Sequence, residues 1–259
     1  MPIIDINLKQ DDSSYGAFAF AYDQALGARF FEAASHLLEK ILERQGIEGR
    51  SHLDVACGTG LAVPFFEARG YRSVGADLSL PMLQLASLRT SALVAADFRR
   101  LPFRGQFSLV TCLYDSLNHL MTEAGLIDSF RSIRRVMAGR SLFIFDMNHP
   151  DIYPAIWGLA QPFVASGKDY LLKMATTFSR REGVGTAVLS GWARLGSGER
   201  VTIEETHRQR SYDELTIRRA LTTAGLRPVE VLDFDPYDEI GTMAAAGVKL
   251  VFVCRVSDP

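Results

Sequence analysis

The chain has 259 residues, 47% of them apolar, and sets 28 Lys and Arg against 30 Asp and Glu for a formal charge of -2. That composition can bury a full core, and the length fits one domain carrying an insertion or two small domains. With no sustained basic stretch, nucleic acid is not the expected partner, and no apolar run nears the roughly 20 residues that cross a bilayer.

Met1 to Asp12 lacks the basic-then-apolar pattern of a secretion signal, so the expected location is cytoplasmic. From Tyr15 to Arg44 apolar residues recur at helical spacing (Phe18, Tyr22, Leu26, Phe30, Leu37, Leu38, Ile41), with a break near Gly27 and an end at Gly46. This predicts two helices. Short apolar runs then alternate with helical segments: His52–Ala56, Ser73–Ala76, Ala92–Ala95, Phe107–Leu113 and Ser141–Phe145 read as strands of a parallel sheet wrapped by helices. The rhythm changes over Pro162–Arg210, where strand-like runs (Tyr170–Phe178, Thr186–Leu195, Arg200–Arg208) are separated by Arg-Glu-Gly and Gly-Ser-Gly turns. That predicts an antiparallel insertion. Tyr212–Ala224 returns to helical spacing and stops at Gly225, and Val229–Phe234 and Val248–Val256 close the sheet. The expected fold is α/β, a doubly wound and mostly parallel sheet with an inserted small antiparallel β lid. Cys57, Cys112 and Cys254 are odd in number, far apart and each within an apolar segment, which predicts buried thiols and neither a disulfide framework nor a metal site.

The strongest chemical signal is Leu53-Asp54-Val55-Ala56-Cys57-Gly58-Thr59-Gly60, a buried strand that ends in a small-residue turn and enters a helix. Small residues let a ligand approach the backbone, and a helix N-terminus offers amide donors. Alone, the turn also fits dinucleotide binding or no ligand at all. Two acids follow at matching places, Asp77 after the second strand and Asp97 after the third. The first can accept from ribose hydroxyls and the second from an adenine amino group, while each singly could be a helix N-cap. Asp97 could serve as both.

Asp54 to Gly60, Asp77 and Asp97 resemble the motifs of class I S-adenosylmethionine (SAM)-dependent methyltransferases. Tyr22-Asp23, Thr111-Cys112-Leu113-Tyr114-Asp115-Ser116-Leu117-Asn118-His119-Leu120 and Phe143-Ile144-Phe145-Asp146 resemble the small-molecule members, which include N-methyltransferases of nucleotide-linked amino sugars. The resemblance implies SAM as cofactor, bound by Asp54, Ala56, Gly58, Gly60, Asp77, Leu78, Asp97, Phe98 and the Leu113 backbone, with Tyr15 and Tyr22 closing over the sulfonium. It implies a core over residues 1–150, an acceptor lid over 151–210 and completion of the sheet over 211–259. The acceptor is expected to be a small molecule methylated on nitrogen or oxygen.

Methyl transfer from a sulfonium is an in-line displacement, so acceptor, carbon and sulfur must be aligned and the acceptor must lose a proton. His119, after the fourth strand, is the candidate base or orienting group, and Tyr15 is the other catalytic candidate; a histidine capping a helix start is the competing reading. Asp115, Asn118, Asp146 and Asn148 are candidates for holding the acceptor or for capping loops, and Trp157, Trp192, Glu204, Glu205, His207 and Arg210 for shaping its pocket from the insertion. Alternation along Val201–Arg210 puts Glu205 and His207 on one face with Val201 and Ile203. Two rivals remain at this level. A nicotinamide-dependent oxidoreductase shares the turn, although Val63 stands where Gly-x-Gly-x-x-Gly needs its third glycine, and a SAM-binding module without turnover shares the cofactor residues.

Overall fold

The computed structural model describes residues 15–159, 161–236 and 248–257. Met1–Asp12, read above for targeting signals, lies outside them. Strands β1 (Ser51–Val55), β2 (Arg72–Asp77), β3 (Leu93–Ala95), β4 (Phe107–Cys112) and β5 (Met137–Asn148) run parallel, while β11 (Lys249–Val256) is antiparallel to β5 and β10 (Leu226–Phe234) to β11. These seven form one sheet in the order β10-β11-β5-β4-β1-β2-β3. A second sheet, β6 (Phe163–Gly167), β7 (Tyr170–Ser179), β8 (Val184–Arg194) and β9 (Arg200–Arg210), is wholly antiparallel.

Helices cover both faces of the first sheet because its central strands are apolar on both sides. Leu53, Val55, Val110, Phe143 and Phe145 pack against α5 (Glu123–Val136) and α6 (Glu214–Thr223), and Leu109, Leu142, Ile144 and Val251 pack against α2 (Ala28–Gln45) and α3 (Ala62–Glu67). The first amides of a helix have no partner within it, and side-chain oxygens supply one at several helix starts. Ser79 caps α4 (Leu80–Ala86), Thr122 caps α5 and Asp213 caps α6, each accepting from the backbone amide three residues on. Among the described residues no helix is long and apolar enough to cross a membrane.

Three points differ from expectation. The break near Gly27 is no helix boundary: α1 (Phe18–Tyr22) runs through a π turn, Asp23–Gly27, straight into α2. Gly27 is there because the Tyr22 ring lies across it, so a Cβ would come within 2.7 Å of Tyr22 Cε1. Strand β6 has no counterpart among the sequence expectations, and β5 begins four residues before Ser141.

Candidate active site

The strand order reverses between β1 and β4, so the loops leaving their C-terminal ends diverge and open a crevice. A cavity of about 660 Å³ fills it. Its floor is the β1 turn, where Ala56 adopts a left-handed φ of 54° that a non-glycine residue takes only when its neighbours hold it there. They do: the Cys57 amide donates to the Ala76 carbonyl at 3.0 Å and the Gly58 amide to Asp77 Oδ2 at 2.8 Å. Asp77 also accepts from the Ser79 amide at 2.8 Å, and burial raises its carboxyl while these amides pull it back. Its acceptor capacity is not exhausted by them.

Asp97 lies on the cavity wall and is also an N-cap. It accepts from the Arg99 amide at 2.8 Å and from Arg99 Nε at 2.9 Å, and the Arg99 contact holds its carboxyl below the usual range. Leu78, Phe98 and Leu113 line the same cavity. Gly60 does not reach the cavity wall. With φ 78° it turns the chain towards α3 and passes close to α4, where a Cβ would stand 3.1 Å from that of Ala86, so its place is explained by the turn.

Asp54 opens on the floor of the cavity yet is buried at 3% exposure. Burial lifts its carboxyl to about 7, opposed by Thr111, which donates to it at 2.6 Å. On the facing loop, Tyr114 and Asp115 both have positive φ. Their amides converge on Asp146, at 2.5 and 2.9 Å, and Lys249 reaches the same carboxylate at 3.0 Å and also bonds Asp115. Burial alone would raise Asp115, but Lys249 turns the net shift downward.

Tyr22 at the end of α1 and Tyr15, which precedes that helix with φ 67° instead of opening it, roof the cavity. The Tyr15 hydroxyl lies 3.0 Å from His119 Nε2. Burial, with Asp115, Asp77 and Glu205 nearby, raises the Tyr15 phenol, so it stays protonated and donates. Burial pushes His119 down to about 4 against the attraction of Asp115, and the ring also bonds the Arg208 backbone. It is therefore neutral at ordinary pH, with its Nε2 lone pair already receiving Tyr15. An ordinary histidine pKa, the premise for His119 as a base, is not what this environment gives.

None of the six insertion residues expected at the acceptor lines the cavity. Trp157 packs on Tyr153, Arg200 lies over Trp192, Glu204 is exposed, and Arg210 donates to the Met121 carbonyl. Glu205 and His207 do point inward, as the alternation implied, but they stand behind Tyr15. Glu205 accepts from the Tyr15 and Phe18 amides at 2.9 and 3.0 Å and bonds His207 at 2.9 Å. Asn118 and Asn148 are taken up by structure: Asn118 bonds the Arg210 carbonyl and the Asn148 amide, and Asn148 bonds Gln209. Sequence reasoning missed two contributors. Asp23 receives Thr59 and Arg89, tying the helical roof to the β1 turn, and Gln209 bonds Asp115 and faces His119 at 3.4 Å. The first had a signal in the Tyr22-Asp23 pair; the second is visible only once β9 is placed.

Residues 53–139 match the model of a methyltransferase domain. A putative methyltransferase of Bacillus subtilis is 31% identical over 140 residues, 52% of this chain and 55% of that one, so the chain spans about half of that relative. The dTDP-3-amino-3,6-dideoxy-alpha-D-glucopyranose N,N-dimethyltransferase of Streptomyces fradiae is 28% identical over 218 residues, covering 82% of this chain and 84% of its own. Among solved structures, an S-adenosylmethionine-dependent methyltransferase from Clostridium acetobutylicum superposes with a TM-score of 0.77 at 20% identity, over 93% of this chain and 98% of that one.

Proposed function

We propose that the chain is a class I SAM-dependent methyltransferase, that its cofactor lies across the β1 turn and that its acceptor is a small-molecule amine presented beside Tyr15 and His119. The observation that carries this reading is a single cavity onto which the β1 turn, Asp77 and Asp97 all open. The residues fit the cofactor. Asp77 offers carboxylate oxygens to the ribose hydroxyls, Asp97 and the Phe98 amide flank the adenine, and Asp54 with the Leu113 backbone receives the α-ammonium of the methionine part. Bound there, SAM supplies an electrophilic methyl on a positive sulfur.

The protein's own contribution is alignment and exclusion of water. Tyr15 and Tyr22 close the cavity from above, and Tyr15 is held by a hydrogen bond at each end, its amide on Glu205 and its hydroxyl on His119. His119 acts here as the group that orients the Tyr15 phenol. The phenol oxygen keeps a lone pair able to accept from an amine N–H, and holding reactants in line can supply most of the acceleration. An amine is favoured over a hydroxyl because the Streptomyces fradiae relative is named for methylation of an amino group. A neutral amine carries its lone pair into the transfer and the alkylammonium formed gives its proton to water on release, whereas a hydroxyl needs a base during the transfer itself, and a His119 held near 4 is a weak one.

Calorimetric titration of S-adenosylhomocysteine (SAH), the demethylated cofactor, into the wild type and Asp77→Ala tests the cofactor site, with NADH as control. Micromolar binding that the variant weakens about tenfold, roughly 1.4 kcal/mol, is the expected result. Binding of NADH with no heat from SAH would overturn it.

A further inference from the structure

Asp54 is reached from inside the protein by a chain of polar side chains that the site as described leaves unused. His52 and Asp54 lie two residues apart on β1 and therefore share one face of the sheet. Ser73 on β2 is the register partner of His52, and Thr111 on β4 is the partner of Asp54. All four are buried, His52 and Thr111 with no exposure at all. Around them the same face is apolar: Leu109, Leu142 and Ile144 meet α2 and α3, and the His52 ring lies 3.9 Å from that of Phe66.

The hydrogen bonds of this quartet have a fixed direction. Asp54 in its anionic form only accepts, so Thr111 spends its single proton on Asp54, at 2.6 Å. The Thr111 oxygen must then accept from His52 Nε2, 2.9 Å away, which puts the imidazole proton on Nε2. His52 Nδ1 is left to accept the Ser73 hydroxyl at 3.1 Å. Burial drives His52 down to about 3, so the ring stays neutral and the direction holds wherever Asp54 is ionised. Four polar side chains inside an apolar layer are costly to desolvate, and apolar residues of similar volume would remove that cost. What the quartet does supply is an oriented acid at the cavity floor.

We propose that His52 is a positioning residue for the cofactor: through Thr111 it fixes the Asp54 carboxylate in the orientation and ionised form that receive the cofactor's ammonium group. This rests on the placement of that ammonium at Asp54 given above. The charged and titratable groups facing Asp54 are Asp77 from β2, Cys57 from the turn and Cys112 from β4; Tyr71 faces His52. None of these donates to Asp54 in the structure. Thr111, backed by His52, is the side chain that holds its carboxyl down.

The test uses the full-length protein and SAH titration between pH 6 and 8.5, with thermal melts on each variant. Thr111→Val keeps shape and removes the donor. His52→Leu keeps volume and removes the ring's proton, whereas His52→Gln restores an N–H aimed at Thr111. Thr111→Val and His52→Leu are expected to weaken SAH about tenfold at pH 7 and to shift the acid limb of the binding profile to higher pH. His52→Gln is expected to stay within threefold of the wild type. A structural role alone would lower the melting temperature without moving the pH profile. Nitrogen NMR of the wild-type ring is expected to show the Nε2–H tautomer.

Asp54→Ala separates the placement of the ammonium from the role of His52. If it weakens SAH while Thr111→Val and His52→Leu bind as the wild type does, the ammonium placement stands and the role of His52 is overturned. If Asp54→Ala itself leaves SAH binding unchanged, the placement falls and this inference falls with it. An Nδ1–H tautomer would also overturn it, since the ring could not then donate to Thr111.

Discussion

At the scale of single residues, burial does more than proximity to set the chemistry. Two histidines near the cofactor site, His52 and His119, are both driven well below the ordinary 6.5, to about 3 and about 4. Neither is expected to titrate between pH 5 and 8, which ring NMR on the folded protein checks directly; a midpoint near 6.5 for His119 would restore it as a base. The same shifts tie stability to pH. An unfolded histidine takes up a proton as pH falls through 6.5 and the buried one does not, so acid favours the unfolded chain from 6.5 down to the folded value. Asp54, raised to about 7, works in the opposite sense, because its folded form takes up a proton first. A difference between two proteins is therefore the useful quantity. Relative to wild type, His52→Gln should gain about 1.4 kcal/mol for each pH unit below 6.5, read as urea-unfolding free energies at pH 7.5 and 5.5. A gap that does not change with pH would mean that His52 takes up a proton in the folded protein as readily as in the unfolded chain.

At the scale of elements, what the sequence makes legible is whatever depends on neighbours in the chain. Buried parallel strands are short apolar runs, and the expected ends of β1, β2, β3 and β4 fall within a residue or two of the observed ones. The turn after β1, Asp77 and Asp97 can be read together because each follows its strand directly. The failures have local causes. Phe163–Gly167 is short, lies at the edge of its sheet and contains Ala, Ser and Gly, so it carries little strand signal. Met137–Arg140 opens β5 with a glycine and an arginine, again without an apolar run. Gly27 reads as a helix stop when its reason for being there is the Tyr22 ring, five residues back across the π turn. That gives a prediction with two opposing terms. Gly27→Ala gains about 1 kcal/mol in helix propensity and loses about 1–3 kcal/mol to crowding, so the net change in stability should be a small loss. Tyr22 must swing away from its place over the cavity, and SAH binding should weaken severalfold even so. Denaturation and titration on the one variant check both halves, and unchanged affinity would show that Tyr22 does not cover the cofactor.

At the scale of the whole molecule, no strand pairing joins the two sheets among the described residues, and the roof of the site is one of the places where they meet. Phe18 and Ala21 of α1 pack with Tyr170, Leu172, Leu189 and Ile203 of the second sheet, while Tyr15 and Tyr22 from the same segment face the cavity. Glu205 on β9 fastens the start of this helix, accepting from two amides, and Gln209 on the same strand bonds Asp115 in the core. These contacts join residues up to 190 positions apart, which is why nothing in the linear pattern announces them. They imply that the roof opens only when β9 lets go of it. Hydrogen bonds to a charged group are worth about 1.5–3 kcal/mol each, so removing the carboxylate should make the open roof at least tenfold more populated. Glu205→Ala is accordingly expected to speed SAH dissociation about tenfold or more in stopped-flow measurements and to raise amide exchange at Phe18. Asp77 and the β1 turn are untouched by the change, so the association rate should fall little, if at all. Dissociation at the wild-type rate from a folded Glu205→Ala protein would show that the roof moves independently of the second sheet, and the packing of α1 alone would then have to account for closure.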